Sequence, residues 1–318
     1  MKVAIVGATG ETGRSIVNGL LQSPAKFEIT ALIRTSSLQK PASQKLQELG
    51  VCLVATDISG PKDNLVGTLT GIDVLISAIA PWALHEEIIL ADAAKEAGVK
   101  RFVPCHFATV SPPRGVMALR EAKEDVLDHI KKIWLPFTVI DVGWWFQIGT
   151  PRLPSGRFDY ALNAPMDGIM GGGDVAMAIT HLRDVGRYVA RIISDDRTLN
   201  KCVFAYNEVK TQCQVFDAVE AKTGEAPERK MIPAEEVVSK VKEAEQKVKA
   251  GSKEIGDLVT LWTSQYRLSW GVRGDNNPEY AKYLGYLDGK ELYPDFEFTT
   301  FDQYLDELLE GKGSKVYA

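Results

Sequence analysis

Val3-Ala4-Ile5-Val6-Gly7-Ala8-Thr9-Gly10-Glu11-Thr12-Gly13 is the stretch whose reading decides the fold. Four β-formers run directly into a glycine-rich turn. The turn opens a helical pattern with Ile16, Val17, Leu20 and Leu21 expected on one face. The order is strand, tight loop, helix. Gly7 takes the backbone angles of the turn, Gly10 lets a pyrophosphate approach the main chain, and Gly13 lets helix and strand pack closely. Thr9, Glu11 and Thr12 complete the loop, and the first N–H groups of the helix, lacking partners within it, point outward as anion donors. A chance run of glycines would lack this strand–turn–helix frame, so a dinucleotide-binding turn is predicted.

Working outward, Phe27–Ile33 reads as a second strand that ends at Arg34. Dinucleotide folds that select NAD place an acidic residue at this end, where it bonds the ribose hydroxyls and repels a 2′-phosphate. Here the position holds a guanidinium, followed by the hydroxyls of Thr35, Ser36 and Ser37, which suits phosphate oxygens. The alternative is a plain surface arginine. The predicted cofactor is NADPH/NADP.

Further strand–helix units follow. Val51–Ala55 leads into Thr56-Asp57, and Ile72–Ser77 opens into the small residues Ala78-Ile79-Ala80, over which the cofactor's ribose and diphosphate are expected to lie. Leu84, Ile88, Ala91 and Ala94 give helical spacing closed by Gly98, and Arg101–Pro104 is a fifth strand. That strand runs into Cys105-His106-Phe107-Ala108-Thr109, ahead of a helix over about Met117–Lys132 and a sixth strand at Pro136–Val142. Continuous apolar strands alternating with amphipathic helices predict an α/β class: a Rossmann-type doubly wound parallel sheet, with ligands at the strand C-terminal ends.

Composition agrees with a globular protein. The 318 residues are 45% hydrophobic and 25% charged, with 37 basic against 42 acidic side chains and a net charge of −5. That balance gives no reason to expect nucleic acid or an anionic membrane surface as partner. No apolar run is long enough to span a bilayer, and nothing resembles a signal peptide. Cys52, Cys105, Cys202 and Cys213 form no CxxC pair, and His85, His106, His129 and His181 form no HxxxH, so no metal site is expected. The expected location is cytoplasmic, as a monomer or homodimer.

The combination resembles the NmrA-like and isoflavone-reductase-like branch of the atypical short-chain dehydrogenases, and within it the fungal members. The resemblance rests on Gly7–Gly13, Arg34 after the second strand, and Val99-Lys100-Arg101-Phe102-Val103-Pro104. It also rests on the lysine thirteen residues before Pro136-Phe137-Thr138, on Val142-Gly143-Trp144-Trp145-Phe146-Gln147, and on Arg183-Asp184-Val185-Gly186. It is close over the first two hundred residues and loose beyond. It implies that Phe107 lies against the nicotinamide, and that Lys123 bonds the nicotinamide ribose and donates or relays a proton. Chemistry points the same way, because an ammonium stabilises and can protonate an oxygen that gains charge as a carbonyl or enone takes hydride. The bland reading of Lys123 is a surface lysine paired with Glu121 or Glu124.

Two positions depart from the pattern. The main branch uses Tyr-x-x-x-Lys, but Leu119 stands four residues before Lys123. The literal match at Tyr206-Asn207-Glu208-Val209-Lys210 follows a later strand and reads as coincidence. Many reductases of the family carry an acid before the phenylalanine, where this chain has His106. That histidine is a candidate substrate ligand or second proton relay, with a structural role as the alternative.

The expected domains are 1–150, binding NADP(H), and a smaller interleaved α/β substrate domain over 151–318, with parts near 176–206 packing back on the first. Pro151, Pro154, Pro165 and Gly171-Gly172-Gly173 mark a loop-rich insertion. A second phosphate loop at the triple glycine is not expected, because no strand is read before it. Glu235–Lys249 reads as a charged helix with Val237, Val241, Ala244 and Val248 inward, and another helix crosses Leu258–Trp262. Trp145, Phe146, Trp262 and Tyr266 are candidates to line a pocket for an aromatic or polycyclic small molecule, with plain core packing as the alternative. The function read here is an NADPH-dependent reductase of a conjugated or aromatic ketone or enone. The competing readings are an NADP(H)-sensing regulator without chemistry and a non-redox isomerase or cyclase.

Overall fold

A computed structural model describes residues 1–252 and 254–317; Lys253 and Ala318, both inside the expected second domain, lie outside the described residues. Two compact units emerge. The first comprises Met1–Phe107, Ala122–Asp141 and Leu182–Ala205, and the second comprises Ala108–Glu121, Val142–His181 and Tyr206–Ala318. The boundary expected at residue 150 therefore falls inside the second unit, and the chain returns to the first unit after it.

The first unit is built on β1 (Lys2–Val6), α1 (Glu11–Gln22), β2 (Glu28–Ile33), α2 (Pro41–Glu48), β3 (Cys52–Ala55), α3 (Lys62–Leu69), β4 (Val74–Ser77), α4 (Glu86–Glu96) and β5 (Arg101–Val103). The strands pair in parallel in the order β3-β2-β1-β4-β5. The order reverses beside β1, so the crevice at the strand C-terminal ends opens where the glycine turn lies. Helix α5 (Ala118–Lys132) leads to β6 (Thr138–Asp141), which pairs in parallel with Lys201–Phe204, and Phe102 bridges to Phe137. Apolar residues on both faces explain the arrangement. Ala4, Val6, Leu32, Leu65, Leu75, Leu90, Phe102, Val126 and Ile130 form one buried cluster, each large side chain contributing about 1.5–3 kcal/mol on burial.

One helix contact is unusually close. The helix Leu182–Ile192 crosses α1 so tightly that a Cβ on Gly19 would overlap the Gly186 main chain, and one on Gly186 would overlap the Ser15 carbonyl. Ser15 Oγ donates to the Leu182 carbonyl at 2.5 Å and accepts the Gly186 N–H at 2.9 Å. Ile16, Val17 and Leu20 are buried as expected on the inner face of α1, but Leu21 is 41% exposed, because a 3.6-residue turn carries it past the edge of that stripe.

The second unit is assembled from short pieces. Ala176–Thr180 pairs in parallel with Trp144–Trp145 and antiparallel with Glu208–Thr211. It therefore belongs to this unit's own sheet, while the later piece Leu182–Ala205 belongs to the first unit. Ile169–Met170 forms a two-residue strand with Met231–Ile232, so a strand does precede Gly171-Gly172-Gly173, contrary to expectation. The loop that follows turns back through the Met170 carbonyl to the Gly173 N–H at 3.1 Å and leads into no helix. In the charged helix Ala234–Lys249, Val237, Val241 and Ala244 are buried and Val248 is half-buried. The helix expected across 258–262 runs from Ile255 to Leu268 and continues as a π-helical turn to Arg273, stopped by Gly274 at φ +75°. Phe146, Phe158, Phe216, Trp270, Phe301 and Tyr304 centre this unit's core. Among the described residues no helix is long and apolar enough to cross a membrane.

Candidate active site

The turn after β1 is shaped by its glycines for two different reasons. Gly7 has φ +79°, and a Cβ there would overlap the Ala78 carbonyl; a Cβ on Gly13 would overlap the Gly7 carbonyl. The fold itself therefore demands these two. Gly10 differs. Its φ is −76°, and a Cβ would meet only the Gly7 oxygen, at 3.4 Å. Among the described residues, nothing in the packing around Gly10 requires a glycine there. No side chain caps α1 at Gly10, so the N–H groups of the first turn face outward for an anion. The Glu11 side chain pairs with Arg14 at 2.5 Å, while Thr9 and Thr12 are half-buried beside the turn.

The neighbouring strand ends carry the other expected contacts. Arg34 is exposed at the end of β2 and leads into a single 3₁₀ turn, Thr35–Ser37. Asp57, after β3, accepts from the Ser59 hydroxyl at 2.7 Å and the Ser59 N–H at 3.1 Å. Those hydrogen bonds, with a smaller contribution from the Arg34 charge, hold its carboxyl below the ordinary range. Ala78 and Ile79 follow β4 and are half-buried. An exposed guanidinium at the end of β2, an uncapped helix start after β1 and a side-chain-free Gly10 fit a phosphorylated dinucleotide.

The loop after β5 carries two of the expected site residues, His106 and Phe107. The His106 N–H closes onto the Pro104 carbonyl at 2.8 Å, and Phe107 takes a left-handed φ of +37° while its N–H reaches the Ile140 carbonyl at 2.8 Å. A bulky residue with positive φ is strained, and such strain collects at functional sites. Lys123, on α5, is 6% exposed rather than a surface lysine. Its Nζ donates to the carbonyls of Cys105 at 2.5 Å and His106 at 2.7 Å. His106 is buried, with Nδ1 4.0 Å from Asp141 Oδ1 at the end of β6. Lys123 of α5 is thus anchored on the loop that carries His106 and Phe107.

Sequence reasoning missed Glu87. It is 1% exposed on α4, and its Oε1 accepts the Cys105 N–H at 2.8 Å. Burial pushes its carboxyl up to about 7, against the opposing pull of Ser77, the Cys105 N–H and the Lys123 charge. Burial likewise pushes the Cys105 thiol up to about 11, and its Sγ donates to the Ile79 carbonyl at 3.2 Å. Burial thus favours the neutral thiol of Cys105. The signal for Glu87 lay in the spacing Leu84, Glu87, Ala91, Ala94, which puts an acid on the apolar stripe of α4.

The aromatic candidates separate within the second unit. Tyr266 is tilted against Trp144 at 5.5 Å, and Trp270 is tilted against Trp144 at 5.4 Å. Trp145 stacks on Tyr317 at 5.8 Å, Phe146 is fully buried against Phe301 and Tyr304, and Trp262 is half-buried on its helix. Tyr206 lies outside any helix and donates to Asp288 at 3.2 Å, while Lys210 pairs with Glu208 at 3.2 Å, so the literal Tyr-x-x-x-Lys has other duties. Among the described residues no group of three or more His, Cys, Asp or Glu side chains is arranged to hold a metal.

Comparison with known proteins follows the same lines. The model of the NmrA-like family matches residues 1–305. The chain is 49% identical to an asnovolin J 5',6'-dehydrogenase of Aspergillus novofumigatus over its whole length and 98% of that protein. It is 28% identical to an isoflavone reductase homolog of Solanum tuberosum, over 97% of this chain and 98% of the relative. Its fold matches the leucoanthocyanidin reductase–NADPH complex of Vitis vinifera with a TM-score of 0.79 at 20% identity, over 98% of this chain and 100% of the other.

Proposed function

The chain belongs to the NmrA-like family, and from that premise we propose that it is an NADP(H)-dependent oxidoreductase of a small conjugated molecule, with Lys123 as proton donor or relay. The observation that carries this reading is the buried Lys123 ammonium, held on the carbonyls of Cys105 and His106. An ammonium has three N–H donors. Two are engaged by those carbonyls, and the third is available for an oxygen of ribose or substrate.

The Gly7–Gly13 turn and the first turn of α1 would hold the diphosphate, Arg34 and Thr35 the 2′-phosphate, and Asp57, Ala78 and Ile79 the remaining adenosine and ribose edges. Phe107 would flank the nicotinamide, which when bound supplies or accepts hydride at a substrate carbon. Lys123 stabilises the charge that develops on a carbonyl or enone oxygen and delivers a proton there, and its two carbonyl anchors fix the ammonium before substrate arrives. His106, tied to the same loop, serves as the second acid–base group.

A 5',6'-dehydrogenase among the relatives fits an enone-type substrate. Removing hydrogen across a bond and saturating that bond are one transfer run in opposite directions, and the same lysine serves both. The test is NADPH oxidation, followed by absorbance, over a panel of aryl and polycyclic enones, and NADP reduction with their saturated counterparts. Turnover of one such pair is expected. Products of unchanged oxidation level, or NADPH that leaves the protein's fluorescence unaltered, would contradict the reading.

A further inference from the structure

We propose that Glu87 is the positioning residue for Lys123, pinning the Cys105 main chain on its N–H side so that the Cys105 carbonyl can hold the ammonium. The inference rests on the reading of Lys123 given above. The geometry is a clamp on one residue. Glu87 Oε1 takes the Cys105 N–H at 2.8 Å, Lys123 Nζ takes the Cys105 carbonyl at 2.5 Å, and the thiol is tied to the Ile79 carbonyl at 3.2 Å. Every polar group of Cys105 is thereby engaged, two residues before the strained backbone of Phe107.

The choice of a carboxylate is the informative part. Glu87 occupies a core position of α4, between Leu84 and Ala91, and is essentially closed to solvent. Burying an acid there is unfavourable unless its charge is used. An apolar residue would pack α4 without that cost, and a glutamine would accept the same N–H without the charge. Around the carboxyl stand the Ser77 side chain at the end of β4 and two titratable groups, the Cys105 thiol and the Lys123 ammonium. Only the ammonium gains from a carboxylate close by. When Glu87 is ionised it strengthens its hold on the Cys105 N–H and stands as a counter-charge near the Lys123 ammonium; when it is protonated the hold weakens and the counter-charge is gone.

The experiment uses the full-length protein and needs no substrate. Amide exchange is followed at Cys105 by mass spectrometry, and the Lys123 side chain is followed by carbon-13 NMR of labelled lysine, its signal assigned by loss in Lys123→Met. Glu87→Leu is expected to speed exchange at Cys105 about tenfold or more, and Glu87→Gln, which keeps an acceptor, to stay close to the parent. The Lys123 signal should show an inflection near the Glu87 transition, at about 7, in the parent and none in Glu87→Gln. Unchanged exchange in Glu87→Leu, or an inflection that survives in Glu87→Gln, would overturn the proposal. Should Glu87→Leu fail to fold, the NMR titration of Glu87→Gln decides alone. Turnover that survives Lys123→Met would remove the catalytic reading, while these two measurements would still report whether Glu87 sets the lysine.

Discussion

Glu87 and Lys123 close on the main chain of Cys105 from opposite sides, one accepting its N–H at 2.8 Å and the other donating to its carbonyl at 2.5 Å. Neither side chain comes from the loop it grips. One arrives from α4 and one from α5, so two helices of the sheet's cover fix the segment that carries His106 and Phe107. Held from both sides, that segment is preorganised.

The same acid makes stability depend on pH in a defined direction. Its folded value of about 7 lies above the ordinary 4.5, so the folded state holds this proton more tightly than the unfolded chain. The stabilisation is complete below 4.5 and is lost as pH rises through about 7, amounting to on the order of 3 kcal/mol. Glu87→Gln is therefore expected to be more stable than the parent at about pH 8, with the advantage fading toward pH 4. Urea denaturation at the two pH values measures it, and a variant less stable at the higher pH would contradict the sign.

Gly186→Ala should separate two helices. Its Cβ would overlap the Ser15 carbonyl, and α1 must move away, at a cost of about 1–3 kcal/mol. Thermal melting measures the loss. Because α1 also presents the anion-binding turn, NADPH binding should weaken together with stability, whereas unchanged melting would show that the crossing is looser than described.

The two outer roles of the glycine turn are separable. Gly7→Ala should lower stability, because φ +79° and the Ala78 carbonyl both oppose a side chain. Gly10→Ala should melt within about 1 kcal/mol of the parent while losing NADPH affinity, since its Cβ finds ordinary contact distance inside the protein. Fluorescence titration with NADPH, beside thermal melting, distinguishes them. Equal loss of stability in both would contradict the assignment of Gly10 to the ligand.

Arg34→Ala should weaken NADPH about 10–100-fold, the worth of charge-assisted hydrogen bonds to a phosphate, and leave NADH nearly untouched. The difference should shrink with added salt, because Arg34 is exposed. Equal weakening of the two dinucleotides would place the arginine elsewhere.

Much of this was legible in the sequence, for physical reasons that differ along the chain. The first unit repeats one device, an apolar strand and an amphipathic helix, so period and glycine spacing locate β1 to β5 and the turn at Gly7–Gly13. Lys123 was legible only through its spacing to Pro136, because nothing in a lysine's immediate neighbours shows that two distant carbonyls will receive it. Glu87 stood in plain view on the stripe Leu84, Glu87, Ala91, Ala94, but an acid there reads as a surface residue until the burial is seen. The second unit resisted because its strands are as short as two residues and pair across long stretches of chain, as Ile169–Met170 does with Met231–Ile232. In the strand Trp144–Trp145, adjacent side chains point to opposite faces. Trp144 therefore meets Tyr266 while Trp145 meets Tyr317, so the expected grouping of Trp145 with Tyr266 joined two different surroundings.

The central claim is that Lys123 performs the proton chemistry at an NADP(H) site, and Lys123→Met tests it most directly. The side chain keeps its length and packing but loses the ammonium. With an enone that the parent protein reduces, kcat is predicted to fall about 10²–10⁴-fold while NADPH still binds, weakened by no more than about tenfold, the worth of one hydrogen bond to the ribose. Full turnover in Lys123→Met, with NADPH bound as before, would contradict the account.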